Sequence, residues 1–262
     1  MKVIEEYLRQ KRLLVNKALD YYLPSGKKKP ESLHQAMRYT VFPGGKRLRP
    51  ILVLIATEIC GGNAKKTMPL ACAIELIHSY SLIHDDLPGM DNSDFRRGKM
   101  SCHRRFDEAT AILAGDALLT LAFEILARIK NYRVIAEVAK AIGSEGMVAG
   151  QILDLLYQNK NPDRRTLRYI RERKTGTLFT TSLTTAAMLS KTGAEKIRHF
   201  IEFGKSFGIA FQIYDDLKDG ELKEEKEIAL AHLKTLKKRM EKTISLLGKK
   251  GEMLKDLTNY IF

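Results

Sequence analysis

The sequence predicts an all-α fold, and three observations carry the prediction. Apolar residues recur with the 3.6-residue helical period through almost every segment, no stretch shows convincing period-two alternation, and the breaks are short Gly-, Pro- or Asn-containing turns. Helices are expected at about 2–22, 31–41, 47–60, 66–87, 107–130, 133–158, 163–190, 194–219, 222–247 and 251–261. Pro24-Ser25-Gly26, followed by three lysines, separates the first two, and Pro43-Gly44-Gly45 ends the second. Gly61-Gly62-Asn63 stops the third. Asn161-Pro162-Asp163 opens the seventh, with Pro at or near its first turn, and Thr192-Gly193 and Gly248 punctuate the later ones. No repeat or low-complexity linker interrupts the 262 residues. A single domain spanning 1–262 is therefore expected, an antiparallel helical bundle around a deep central cavity.

Composition narrows the function. The longest clean apolar run, Ile51–Thr57, stops at Glu58, far short of the roughly 20 residues that span a bilayer, so no membrane span is expected. Residues 1–10 carry charge throughout and lack the apolar stretch of a secretory signal. Three widely spaced cysteines, Cys60, Cys72 and Cys102, read as reduced thiols in a cytoplasm. The net charge of +14 invites a nucleic-acid reading. Its basic runs, such as Lys234–Lys242, alternate with apolar residues as a solvated helix face does, and no base-stacking aromatics interleave with them. Nucleic acid is therefore not expected; a basic protein suits an anionic small-molecule substrate equally well.

Two aspartate clusters stand out. The first lies in His78-Ser79-Tyr80-Ser81-Leu82-Ile83-His84-Asp85-Asp86-Leu87-Pro88-Gly89-Met90-Asp91. Asp85 and Asp91 are too close in sequence for two regular helical turns, so a bulge at Pro88-Gly89 could bring both carboxylates to one mouth. In the second, Asp215-Asp216-Leu217-Lys218-Asp219, the outer pair stands at i and i+4 on one helix face. Both follow long apolar stretches, where several unpaired carboxylates would be costly without cations. Opposed carboxylates make an oxygen-rich site suited to Mg²⁺, which takes one or two carboxylates per ion and completes its shell with water and phosphate oxygens. A helix cap or a solvated face is the structural alternative for either pair taken alone.

Cationic groups accompany the acidic ones. Gly44-Gly45 permits a tight backbone from which Lys46 and Arg49 project at a helix start. Arg96 and Arg97 follow the first cluster and offer planar forks that match phosphate oxygens. Lys174-Thr175-Gly176 breaks an otherwise helical stretch and could carry an ammonium, a hydroxyl and a carbonyl into a cavity. No Ser-His-Asp or Cys-His arrangement supplies a covalent nucleophile.

Gly44-Gly45-Lys46-Arg47-Leu48-Arg49-Pro50, the first cluster with Arg96-Arg97-Gly98, and Phe211-Gln212-Ile213-Tyr214-Asp215-Asp216-Leu217-Lys218-Asp219 resemble the trans-isoprenyl diphosphate synthases, which include the bacterial farnesyl and geranylgeranyl diphosphate synthases. The resemblance covers about residues 30–220, with the motifs in the family's order. It implies the isoprenoid synthase fold, a homodimer, isopentenyl and allylic diphosphates as substrates, and three Mg²⁺ ions held by Asp85, Asp86, Asp91, Asp215, Asp216 and Asp219. Lys46, Arg49, His78 and Arg97 would bind isopentenyl diphosphate; Arg96 and Lys174 would bind the allylic diphosphate. Lys174, Thr175 and Gln212 would stabilise the forming carbocation. Gln151 and Asp154 also match, with a satisfied buried polar pair as their expected role. The implied reaction is ionisation, condensation and elimination, with the released diphosphate as base.

Product length would be set below the first cluster. Tyr80 stands five residues before Asp85, about 7.5 Å down a helix at ~1.5 Å per residue, and Ser81 beside it is small. Tyr-Ser there resembles the enzymes that stop at C15, with C20 as the alternative. The chain departs from the family after Asp219. A lysine-bearing loop is replaced by Gly220-Glu221-Leu222-Lys223-Glu224-Glu225-Lys226, in which Lys218, Lys223 or Lys226 are the available substitutes. That departure opens a second alternative, a weakly active or non-catalytic synthase subunit.

Overall fold

Helix α1 (Lys2–Tyr22) and helix α2 (Glu31–Val41) form where the periodicity places them. The computed structural model describes residues 2–158, 160, 162–220, 222 and 224–262. There follow α3 (Leu48–Ile59), α4 (Ala64–Asp85), a hairpin of β1 (Phe95–Arg96) and β2 (Lys99–Met100), α5 (Cys102–Arg105), α6 (Glu108–Arg128), α7 (Tyr132–Ile142) and α8 (Met147–Leu156). Then come α9 (Arg164–Arg171), a π-helical turn (Glu172–Gly176), α10 (Thr177–Leu189), α11 (Ala194–Asp219), α12 (Lys226–Leu246), a 3₁₀ turn (Lys249–Gly251) and α13 (Glu252–Ile261). The fold is all-α, as the sequence predicts.

The differences from expectation have local causes. The expected helix at 133–158 is two helices, because Gly146 caps α8 with a turn so tight that a Cβ there would lie 1.9 Å from the Ala141 carbonyl oxygen. The hairpin was not legible by alternation because its strands are two residues long; its turn was written in Arg97-Gly98, both at positive φ (55° and 74°), the type I′ geometry that matches strand twist. The helix expected from residue 222 begins at Lys226. Asn161, named above as part of a helix start, lies outside the described residues; the helix itself starts at Arg164, capped by the Asp163 carboxylate accepting from the Thr166 N–H at 2.7 Å.

The chain divides into two compact units, residues 8–51 with 68–131, and residues 1–7 with 52–67 and 132–262. In the first, α2 and α5 pack on α6, and the middle of α4 is buried all round, Leu70 to Ile74 and Leu76 to Ile77 being 0% exposed. By length and composition α6 could cross a bilayer, but Ala111, Ala114, Gly115, Leu118, Ala122, Ile125 and Leu126 are buried within the protein. In the second unit, α11 packs on α10 and α12. Phe200, Phe203 and Phe207 of α11 are fully buried with Phe179, and the rings of Phe179 and Phe207 meet edge to face at 5.2 Å. Each such burial stabilises the fold by roughly 1.5–3 kcal/mol. The opposite requirement, close approach, falls to Gly204 and Gly208: a Cβ would lie 2.6 Å from the Thr180 Cα at the first and 2.4 Å from the Gly176 Cα at the second.

Candidate active site

In the unit containing the first cluster, three of the sequence-predicted cationic and imidazole groups converge from three elements. The Gly44-Gly45 turn runs at positive φ (80° and 110°) into Arg47, also at positive φ, whose carbonyl accepts the Ile51 N–H and so starts α3. The bare α-carbon of Gly45 lets the Arg97 guanidinium lie against the backbone; a Cβ would stand 2.8 Å from Arg97 Nη1. Arg97 Nη1 donates to the Gly44 carbonyl at 3.2 Å. His78 Nε2 is 3.3 Å from Arg49 Nη1 and 3.4 Å from Arg97 Nη2. Guanidinium groups only donate, so Nε2 must be the accepting nitrogen of a neutral ring. Burial, then the neighbouring Arg49 and Arg97, hold the His78 pKa well below its ordinary value. Lys46 is exposed at the same turn.

The first cluster lies at the end of α4. The Pro88-Gly89 segment folds back so that the Asp91 N–H donates to the Asp85 carbonyl at 2.9 Å and the Ser93 N–H to the Asp86 carbonyl at 3.2 Å. Asp85 and Asp91 are thereby adjacent in backbone, both half-buried. Asp86 is buried, and one of its oxygens, Oδ1, accepts from Arg96 Nε at 2.9 Å and Nη2 at 2.5 Å. Burial raises the Asp86 pKa in spite of that guanidinium. Tyr80, 7% exposed, meets the His84 ring edge to face at 5.7 Å, and burial with the nearby Asp85 pushes its hydroxyl up to about 12. The Ser81 hydroxyl donates to the His78 carbonyl at 3.0 Å.

In the other unit the predicted helix break at Lys174-Thr175-Gly176 is a π-helical turn, a form common at functional sites. Glycines press it from two sides, since a Cβ at Gly150 would meet the Lys174 backbone nitrogen at 2.1 Å and one at Gly208 the Gly176 Cα. Lys174 Nζ donates to Asp154 at 2.7 Å, so Asp154 serves the lysine, and the satisfied pairing expected of Gln151 is corrected: its amide nitrogen is buried and has no hydrogen-bond partner among the described residues. The Thr175 hydroxyl donates to Gln212 Oε1 at 2.7 Å, and Gln212 Nε2 donates to Asp216 Oδ1 at 2.7 Å. Asp215 is half-buried and Asp219 exposed one turn further along α11, which Gly220 ends in the left-handed conformation at φ 76°. Of the candidate lysines after the cluster, Lys218 is exposed on α11 and Lys226 opens α12, while Lys223 lies outside the described residues.

Two arginines went unassigned from the sequence. Arg47 is 3% exposed and donates to Glu75 at 2.7 Å, to Asn16 at 3.0 Å and to the Val41 carbonyl. Its placement between Lys46 and Arg49 was the available signal. Arg171, also 3% exposed, pairs with Asp216 at 3.0 Å and Glu224 at 2.5 Å, and no motif marked it.

The acidic groups suit a hard divalent cation. Among the described residues no three His, Cys, Asp or Glu side chains converge as a ready-made cage. Mg²⁺ does not need one, because it binds through one or two carboxylates plus water and substrate phosphate oxygens. The all-oxygen set of Asp85 with Asp91, and of Asp215 with Asp219, fits that demand.

The chain is 43% identical over 231 residues to the farnesyl diphosphate synthase of Geobacillus stearothermophilus, covering 85% of this chain and 77% of that one. It is 43% identical over 225 residues to the large subunit 1 of a heterodimeric geranylgeranyl pyrophosphate synthase of Arabidopsis thaliana, covering 81% of this chain and 60% of that longer one. The crystal structure of an FPP/GFPP synthase from Zymomonas mobilis superposes with a TM-score of 0.93 at 34% identity, covering 100% of this chain and 99% of that one. The fold is that of the all-α isoprenoid synthases. The polyprenyl synthetase family matches residues 30–228, and the chain belongs to it.

Proposed function

We propose that the protein is a prenyltransferase that joins isopentenyl diphosphate to the allylic diphosphates dimethylallyl and geranyl diphosphate, with farnesyl diphosphate as product. The observation that carries the reading is the meeting of Arg49, His78 and Arg97 at the Gly44-Gly45 turn. With Lys46 beside them, they form a cationic pocket for a diphosphate, and the neutral His78 keeps both guanidinium groups oriented. The family match and relatives named for farnesyl and geranylgeranyl synthesis support the same reading.

In this reading Asp85, Asp86, Asp91, Asp215, Asp216 and Asp219 hold Mg²⁺, with Asp86 and Asp216 also fixed by Arg96 and Arg171. When bound there, Mg²⁺ would neutralise charge on the allylic diphosphate. Arg96 and Lys174 bind that diphosphate as the allylic C–O bond breaks and the electron pair departs with it. Thr175, Gln212 and Lys174 line the cation with oxygen dipoles and fixed charge, the electrostatic preorganisation such a step needs. The isopentenyl double bond supplies the electrons of the new C–C bond, and the released diphosphate takes the proton. Tyr80 closes the floor at C15; C20 is the second reading, favoured by relatives named as geranylgeranyl synthases.

The reading extends to a single working domain, supported by one family match that runs through both units. It extends to a homodimer, supported by Ile112 and Leu113 standing 42% and 58% exposed on α6. A cytoplasmic location is supported by three cysteines without a disulfide. The test is condensation by the purified protein with Mg²⁺, isopentenyl diphosphate and each allylic primer, with products resolved by chain length. Absence of product with every primer would reject the synthase and leave the non-catalytic subunit.

A further inference from the structure

We infer that Arg171 is a positioning residue that fastens the chain beyond the second acidic cluster to the cluster itself. The segment after Asp219 lacks the lysine-bearing loop expected of the family, and Arg171 reaches into it, 53 residues along the chain, to pair with Glu224. Arg171 closes α9 beside the π-helical turn, with its side chain 4% exposed. Its two terminal nitrogens divide between different partners. Nη2 donates to Asp216 Oδ2 at 3.0 Å, 45 residues away, and Nη1 to Glu224 Oε1 at 2.5 Å, 53 residues away.

Both carboxylates are themselves largely withdrawn from water, with side chains 15% and 12% exposed. A guanidinium at that depth is strongly held only when anions and hydrogen bonds surround it, and its planar fork fixes the angle between the two. Three pieces of the second unit are tied at one point: the end of α9, the acidic face of α11, and the residues that lead into α12.

The tie continues inward. Asp216 uses its other oxygen to accept from Gln212 Nε2, and Gln212 Oε1 accepts from Thr175. The line Glu224, Arg171, Asp216, Gln212, Thr175 is thus unbroken, each link 3.0 Å or shorter. With Arg171 gone, Asp216 keeps only Gln212 among these partners and its carboxylate is free to turn, which loosens the anchor on Gln212 and the groups facing the cation. With Glu224 gone, the inner links persist and only the outer chain is released. Arg171 touches no reacting atom in this arrangement; it acts through Asp216 and Glu224. The inference rests on the reading of the second cluster as the group that serves the allylic diphosphate.

The experiment compares wild type, Glu224→Ala, Arg171→Ala and Arg171→Lys by amide hydrogen exchange without metal or substrate and by steady-state kinetics. Glu224→Ala is expected to speed exchange in the first turns of α12 (226–230) by about tenfold. It should also raise the allylic-diphosphate KM about fivefold with little change in kcat. Arg171→Ala should add a loss in kcat on the order of a hundredfold. Arg171→Lys, which can reach one carboxylate but not both, should recover only part. If Arg171→Ala does not fold, Glu224→Ala, at the outer end of the line, still decides the matter. Wild-type exchange and wild-type KM in a folded Glu224→Ala protein would overturn the inference. A wild-type protein without condensing activity would instead overturn the proposed function, while the exchange data would still report on the tie.

Discussion

Gly208→Ala is the substitution that most directly probes how the π-helical turn is held. A Cβ at Gly208 would stand 2.4 Å from the Gly176 Cα and 3.2 Å from its nitrogen, and ordinary contact begins at 3.4 Å. Both neighbours are backbone, so no rotamer change relieves the clash; α11 and the turn must separate by about 1 Å. That movement is larger than the Thr175–Gln212 hydrogen bond, 2.7 Å at rest, can absorb without weakening steeply. Overpacking of this kind costs about 1–3 kcal/mol, and a displacement near 1 Å at groups that line a reacting centre lowers kcat on the order of a hundredfold. Condensation of dimethylallyl with isopentenyl diphosphate reads the second effect and thermal unfolding the first. Gly193→Ala is the control. It lies at φ −64° with nothing within 4 Å, so it should cost under about 1 kcal/mol and leave turnover unchanged. A Gly208→Ala protein with wild-type stability and kcat within threefold of wild type would refute the argument that close approach shapes the turn.

Three further outcomes are expected. Glu75→Gln leaves the Arg47 guanidinium, 1% exposed, without its counter-ion and should destabilise the protein by about 3–5 kcal/mol in urea unfolding; a loss below about 1 kcal/mol would mean that Asn16 and the Val41 carbonyl suffice. The folded-state pKa of His78 lies below its unfolded value of about 6.5, so the unfolded chain binds the extra proton first as pH falls. Its contribution is therefore complete above that pH and declines below it by at most about 1.4 kcal/mol per pH unit; His78→Gln should flatten the stability profile between about pH 5 and 7, and an unchanged slope would exclude His78 as its source. Tyr80→Ala should lengthen the product beyond C15, as chromatography of dephosphorylated products would read; an unaltered profile would place the floor elsewhere.

Much of this protein was legible without coordinates because its determinants are local. The helical period depends on neighbours three and four residues apart, which is why α1, α2 and α11 fall where the pattern places them. The residue types proposed to carry the chemistry, carboxylate doublets and arginine pairs, are likewise visible as motifs. Tertiary structure decided what those side chains do. Arg97 reaches His78 from a two-residue turn that lays it against the bare Gly45, and the π turn at Lys174-Thr175-Gly176 packs closely where Gly150 and Gly208 lack a Cβ. Arg171 looks in sequence like any surface arginine, and folding buries it between two carboxylates distant along the chain, as it buries Arg47 against Glu75. Periodicity and motif are short-range properties written into adjacent residues. Burial and ion pairing depend on which distant segments meet, and only the packed chain specifies that.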